Sequence, residues 1–171
     1  MITVIEAPNS YNLSGNEFTL FLAGGIVNCP DWRSVVIQKL YAYDKKHPLS
    51  LTNLTVFNPR RKNFPIKDKS ATRKQIEWEF RAIENSDIFS MWFCNSSSDQ
   101  PICMYELGRE LGRNLGEDDI NIIGVESGYK REQDVYIQTN LATDNSIKIS
   151  KTLDGHVKKI ILAYKELQKC S

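Results

Sequence analysis

Four short, almost uninterrupted apolar runs, separated by stretches of helical periodicity, constrain the fold of this chain more than any other feature. Phe18–Ala23 (FTLFLA), Thr52–Phe57 (TNLTVF), Asp87–Phe93 (DIFSMWF) and Ile120–Val125 (INIIGV) do not alternate strictly between apolar and polar residues. They read as strands covered on both faces. Between them, Trp32, Val35, Val36, Leu40 and Tyr43 recur at helical spacing. So do Ile76, Phe80 and Ile83 within 70–85, and Met104, Leu107, Leu111 and Leu115 after Pro101. These spacings predict amphipathic helices with those residues on the buried stripe. Asp31 suits an N-cap, and Pro101 suits a first helical position. Val157, Ile160, Ile161, Tyr164 and Leu167 predict a closing helix over Thr152–Lys169. Weaker patterns suggest a short strand at Thr3–Ile5, a short helix near Gln133–Thr139 and a strand near Ser146–Ile149. Strands that alternate with helices imply βαβ units and a parallel α/β sheet.

The length of 171 residues, with no internal repeat or linker, predicts one domain over 1–171. A hydrophobic fraction of 41% and a charged fraction of 25% are those of a globular chain, not a disordered one. Lys+Arg 22 against Asp+Glu 21 leaves a net charge of +1, without the basic excess of a nucleic-acid binder. No apolar run approaches the ~20 residues of a membrane span, and Met1–Ser10 does not resemble a signal peptide. The four cysteines form no CxxC pair and the two histidines are far apart, so no zinc site is expected. A reduced, cytoplasmic protein is the expectation.

Open parallel sheets bind ligands outside the carboxyl ends of their strands. This rule selects the loops Gly24–Pro30, Asn58–Pro65, Phe93–Gln100 and Glu126–Arg131. Glu106 lies about 100° around its helix from Leu107, so it flanks the core. Helical side chains lean toward the N-terminus, which aims its carboxylate at the crevice, and the helix dipole there favours the ionised form. Such a carboxylate can attack an acetal-like carbon. The same position also suits a solvated second-turn glutamate. Glu79 flanks the stripe of its own helix, although Glu77 and Glu84 beside it also fit a solvated acidic face. Asp87 begins its strand and belongs to the opposite, structural edge. Arg60, with Arg61 and Lys62, can hold a phosphate or carboxylate, or form a solvated charge run. Gly24 and Gly25 permit close backbone approach to a ligand. They form neither GxGxxG nor a P-loop. Trp32, Trp92 and Phe93 can stack on a base or pack in the core.

Several segments resemble the nucleoside 2-deoxyribosyltransferases, and more closely their 2-deoxyribosyltransferase-like branch. They are FLAGGI at 21–26, DWR at 31–33, FNPRR at 57–61, QIEWEF at 75–80, SDIFSMWF at 86–93, QPICMYELG at 100–108 and GVESGYKREQDV at 124–135. The resemblance implies a flavodoxin-like three-layer sandwich with a five-stranded parallel sheet, often oligomeric. It implies that the glutamate of the E-L-G motif, here Glu106, is the nucleophile. An acidic residue of the family that contacts the base falls on Glu79, eight positions before Asp87. A second acidic residue of the family, six positions before the nucleophile, is replaced by Gln100. An amide there can hydrogen-bond a base but cannot shuttle its proton. The family's tyrosine beside the glycine motif has no clear counterpart, since Phe21 and Leu22 occupy that region.

The resulting expectation is an enzyme that cleaves or transfers the N-glycosidic bond of a (deoxy)nucleoside or nucleotide. Glu106 forms a ribosyl ester, Glu79 and Gln100 orient the base, and Gly24, Gly25, Trp32, Arg60 and Phe93 contact substrate. Its partners are a small-molecule nucleoside, nucleotide or nucleobase and other copies of the chain, with no metal, organic cofactor, membrane or nucleic acid. The alternatives are an NAD or ADP-ribosyl glycohydrolase and a non-catalytic nucleotide-binding module.

Overall fold

The computed structural model describes residues 1–61, 69–113 and 120–170. The elements run β1 (Thr3–Glu6), β2 (Phe18–Gly24), α1 (Trp32–Lys46), β3 (Leu54–Asn58), α2 (Lys69–Glu84), β4 (Ile88–Phe93), α3 (Pro101–Gly112), β5 (Ile120–Val125), α4 (Glu132–Ala142) and α5 (Leu153–Cys170). The five strands form one sheet in the order β1-β3-β2-β4-β5, parallel throughout. Every residue of β3 and β4 is buried, as continuous apolar runs require. One face carries α1 and α5, packed through Leu22, Val36, Leu40, Ile160 and Tyr164. The other carries α2, α3 and α4, packed through Phe21, Trp78, Ala82, Leu107 and Val135. This is the α/β three-layer, flavodoxin-like arrangement.

Local chemistry explains the element ends. Asp31 caps α1 by accepting a hydrogen bond from the Ser34 amide at 3.3 Å. At the amino edge of the sheet, the Asp87 carboxylate accepts from the Thr19 amide at 2.6 Å and the Thr19 hydroxyl at 2.7 Å. Asp87 thus ties β2 to the start of β4, on the structural side as expected.

Four expectations change, the first on α1, where Val35, expected on the buried stripe, is exposed. Ser146–Ile149 is not a strand: only Ser150 reaches β5, through a single parallel bridge to Gly124. Ile147 and Ile149 instead pack against the core on the α2 side. β3 begins at Leu54 because Asn53 has φ 61°, a turn conformation that extended pairing excludes. The stripe of α2 is also rotated. Ile76 and Phe80 are exposed, while Ala71, Gln75, Trp78, Ala82 and Ile83 are buried. Trp78 is held inward by its edge contact with Phe57, with ring centroids 5.9 Å apart, and by its indole N–H donating to the Asn9 carbonyl at 2.8 Å. Leu115, Lys62 and part of the Asn58–Pro65 loop lie outside the described residues.

Candidate active site

Strand β2 leads to β3 on one side, and β4 leads to β5 on the other. The carboxyl ends of β2 and β4 therefore flank the point where strand order reverses, the place at which such sheets bind ligands. A cavity of about 260 Å³ opens there. Gly24 and Gly25 line it from the end of β2, Arg33 from α1, Glu79 from α2, and Cys103 and Glu106 from α3.

The glycine pair makes this cavity sterically possible. Gly24 has φ +144°, and a Cβ there would stand 2.4 Å from the Trp92 carbonyl oxygen. A Cβ on Gly25 would stand 2.4 Å from Cys29 Sγ and 2.6 Å from Gln100 Oε1. Three side chains then hold the turn. Arg33 donates from Nε to the Leu22 carbonyl at 2.8 Å, from Nη1 to Gly25 at 3.0 Å and from Nη2 to Gly24 at 2.6 Å. The Trp32 indole N–H donates to the Gly25 carbonyl at 3.4 Å. Gln100 Oε1 accepts from the Gly25 amide at 3.1 Å, while its Nε2 donates to the Cys94 carbonyl at 2.8 Å.

The two glutamates of the cavity come from different helices. The rotated stripe of α2 brings Glu79 inward beside Trp78. Gln75 Nε2 donates to Glu79 Oε1 at 2.7 Å and to the Pro59 carbonyl at 2.7 Å, which fixes the carboxylate. Burial raises the Glu79 pKa above the usual carboxylate range, while the Gln75 hydrogen bond and Arg33 oppose the rise. Glu106 has no hydrogen bond or ion pair among the described residues. Burial first, and the nearby Glu79 second, push its pKa up to about 7, against the pull of Arg33 and Arg109. The expected stabilisation of charge by the helix dipole is thus outweighed. The dipole field fades within the first turn, and Glu106 stands beyond it.

Of the residues expected at the site, Glu79, Glu106, Gly24, Gly25 and Gln100 line the cavity. Both ends of the Gln100 amide already brace the turn. Trp32 lies beneath the turn, packed in the core. Phe93 is fully buried, its ring stacked on Tyr129 with centroids 5.4 Å apart. Arg60 stands behind the turn: its Nη1 donates to the Ile26 and Cys29 carbonyls at 3.4 Å each, and its Nε pairs with Asp31 at 3.6 Å. None of these three lines the cavity. Sequence reasoning missed Arg33, although a signal existed. Arg33 shares a helical face with Val36 and Leu40, so an arginine heads a buried stripe. Among the described residues, no group of three or more metal-ligating side chains is gathered, and no helix is long and apolar enough to cross a membrane.

The family profile described as nucleoside 2-deoxyribosyltransferase like matches residues 17–129. The chain belongs to that family. In this nucleoside 2-deoxyribosyltransferase-like protein the matched span runs from the residue before β2 to just past β5. It therefore contains both glutamates, the glycine turn and Arg33, while β1, α4 and α5 fall outside it. No curated protein matches the chain.

Proposed function

We propose that this protein cleaves the N-glycosidic bond of a (deoxy)nucleoside or nucleotide, with Glu106 as nucleophile and Glu79 as the acid–base partner of the base. The observation that carries this reading is the convergence of two carboxyl groups from α2 and α3 on one cavity at the strand-order reversal. Among the described residues, Glu106 holds no hydrogen-bond or ion-pair partner that would have to be displaced before attack. In the first step a Glu106 oxygen forms a bond to C1′ as the C1′–N bond breaks, and the raised pKa of Glu79 suits it to donate a proton to the departing base. The resulting ester is opened at C1′ by water or by a second base, and Glu79 takes a proton from the incoming group. A 2′-deoxy sugar reacts more readily, because a 2′-hydroxyl withdraws electrons from the oxocarbenium-like transition state. Homo-oligomerisation completes the reading, and a lone 19.6 kDa species in sedimentation at micromolar concentration would count against it.

The test is incubation with deoxynucleosides, their 5′-monophosphates and NAD, with and without an acceptor base, followed by chromatography. Base release that needs an acceptor identifies a transferase, and release without one identifies a hydrolase. Release from NAD alone selects the glycohydrolase alternative. Acid quench during turnover and intact-mass analysis should reveal a sugar adduct on Glu106. One observation favours a second reading, binding without turnover: the Gln100 amide is engaged in holding the turn and leaves one acid on the base side. A strong thermal shift with a nucleotide and no base release over hours would select it.

A further inference from the structure

Arg33 is a fully buried arginine with no ion pair to a carboxylate among the described residues. A buried charge without a counter-charge is costly, so its retention calls for an explanation. Its three carbonyl partners orient the guanidinium, and the Trp32 ring lies 4.3 Å from its Cζ. None of these groups carries a negative charge. The anionic groups that face it across the cavity are Glu79 and Glu106.

Other charges near the site are paired among the described residues. On α3, Arg109 Nε pairs with Glu110 Oε1 at 3.0 Å, and Arg113 Nη1 bridges Glu110 and Glu84 at 3.2 and 2.7 Å. In the loop after β3, Arg60 pairs with Asp31. The Cys103 thiol, one turn before Glu106, is pushed up to about 12 by burial and stays neutral. Among the described residues that line the cavity, Arg33 is the only cation. Burial lowers its pKa to about 10, which leaves it charged at neutral pH.

We infer that Arg33 is a positioning residue of this site: its fixed guanidinium is the counter-charge that lets Glu106 ionise beside Glu79 in the cavity. Two carboxylates facing one guanidinium favour a state with one proton left on the pair. In that state the proton rests preferentially on Glu106, which the Glu79 charge pushes up; its passage to Glu79 gives the nucleophile and the acid that the proposed reaction needs. Arginine suits the task because it resists deprotonation and its planar fork reaches three carbonyls at once. Its mechanistic meaning rests on Glu106 as nucleophile, but the electrostatic statement is tested without substrate.

The experiment follows the Glu106 carboxyl carbon by NMR through a pH titration of the full chain, with Glu106→Gln for assignment. Wild type should show a midpoint near 7. Arg33→Gln should raise that midpoint by about one pH unit or more, and Arg33→Lys, which keeps the charge, by less than about half of that. Arg33→Gln with Glu79→Gln removes one charge of each sign and should bring the midpoint back toward wild type. The acidic limb of kcat/KM should move in parallel, which a purely structural bracing role would not cause. A folded Arg33→Gln whose Glu106 midpoint stays within about 0.3 pH unit of wild type overturns the inference. Should Arg33→Gln fail to fold, wild type still decides. The side-chain nitrogen resonances of Arg33 should shift with the Glu106 midpoint, and resonances that stay still across that range overturn the inference. If wild type releases no base while these titrations behave as expected, the proposed reaction fails and the role of Arg33 stands.

Discussion

Glu106, the proposed nucleophile, illustrates how a buried carboxyl group opposes stability. Its pKa in the folded protein, about 7, lies above its ordinary value of 4.5. Protonated Glu106 therefore favours the folded state. Its contribution is fully present below pH 4.5 and is lost as pH rises through 7. Glu106→Gln cannot ionise and should escape that loss. In urea titrations the variant should gain on wild type progressively from pH 4.5 to above 7, by up to about 3 kcal/mol. Equal pH dependence in the two proteins would refute this. The same variant keeps the shape of the side chain and removes the nucleophilic charge, so base release should fall by at least about a thousandfold. Cleavage by Glu106→Ala within about tenfold of wild type, a loss of only ~1.4 kcal/mol, would remove Glu106 from the nucleophile role.

At the scale of elements, the glycine turn and the helices respond differently to one added methyl group. Gly25→Ala drives a Cβ into Cys29 and Gln100. The bridge from the Gly25 amide through Gln100 to the Cys94 carbonyl should then open. We expect destabilisation of about 1–3 kcal/mol by denaturant melt, together with loss of substrate binding. An unchanged melting midpoint would show that Cys29 and Gln100 can yield. Gly108 on α3 has nothing within 4 Å of an added Cβ. Gly108→Ala should therefore stabilise by roughly 0.5–1 kcal/mol, because alanine loses less backbone entropy in a helix. A lower midpoint for that variant would contradict the open space seen there. On α2 the same reasoning concerns which face is buried. The sequence supports two helical stripes, through Ile76 and Phe80 or through Gln75, Trp78 and Ala82. The second faces the sheet, and Phe80 instead lies beneath the Arg109 guanidinium, 4.7 Å from its ring centre.

Across the whole molecule, His156 joins α5 to the middle of β4. Its Nε2 lies 2.8 Å from Ser90 Oγ, and its ring sits 5.2 Å from that of Trp92. Burial lowers its pKa from 6.5 to about 3, so the folded protein holds the ring neutral. The stability this gives is present above pH 6.5 and is lost as pH falls toward 3. His156 and Glu106 thus tilt the stability curve in opposite directions. His156→Gln, which can still bond Ser90, should flatten the acid side between pH 6.5 and 3 in denaturant melts. An unchanged acid slope would show that other groups dominate acid unfolding.

Much of the architecture was legible in the chain alone. The apolar runs at 18–23, 87–93 and 120–125 are buried strands because only a sheet covered on both faces accepts such runs. Asp31 and Pro101 mark helix starts because capping and the missing proline N–H act within a few residues. The direction of Glu106 toward the crevice follows from helix geometry and the strand-end rule, which are also local or topological. What the sequence could not decide depended on long-range packing. Whether Ile76 or Trp78 faces inward on α2 is settled by the sheet beneath it, and with it the burial of Glu79. Whether Trp32, Arg60 and Phe93 meet a ligand or brace the turn and core depends on neighbours 7 to 36 residues away in sequence. Arg33 belongs to the same class. A charge is buried beside two carboxylates only because α1, α2 and α3, distant in sequence, converge on one strand-order reversal.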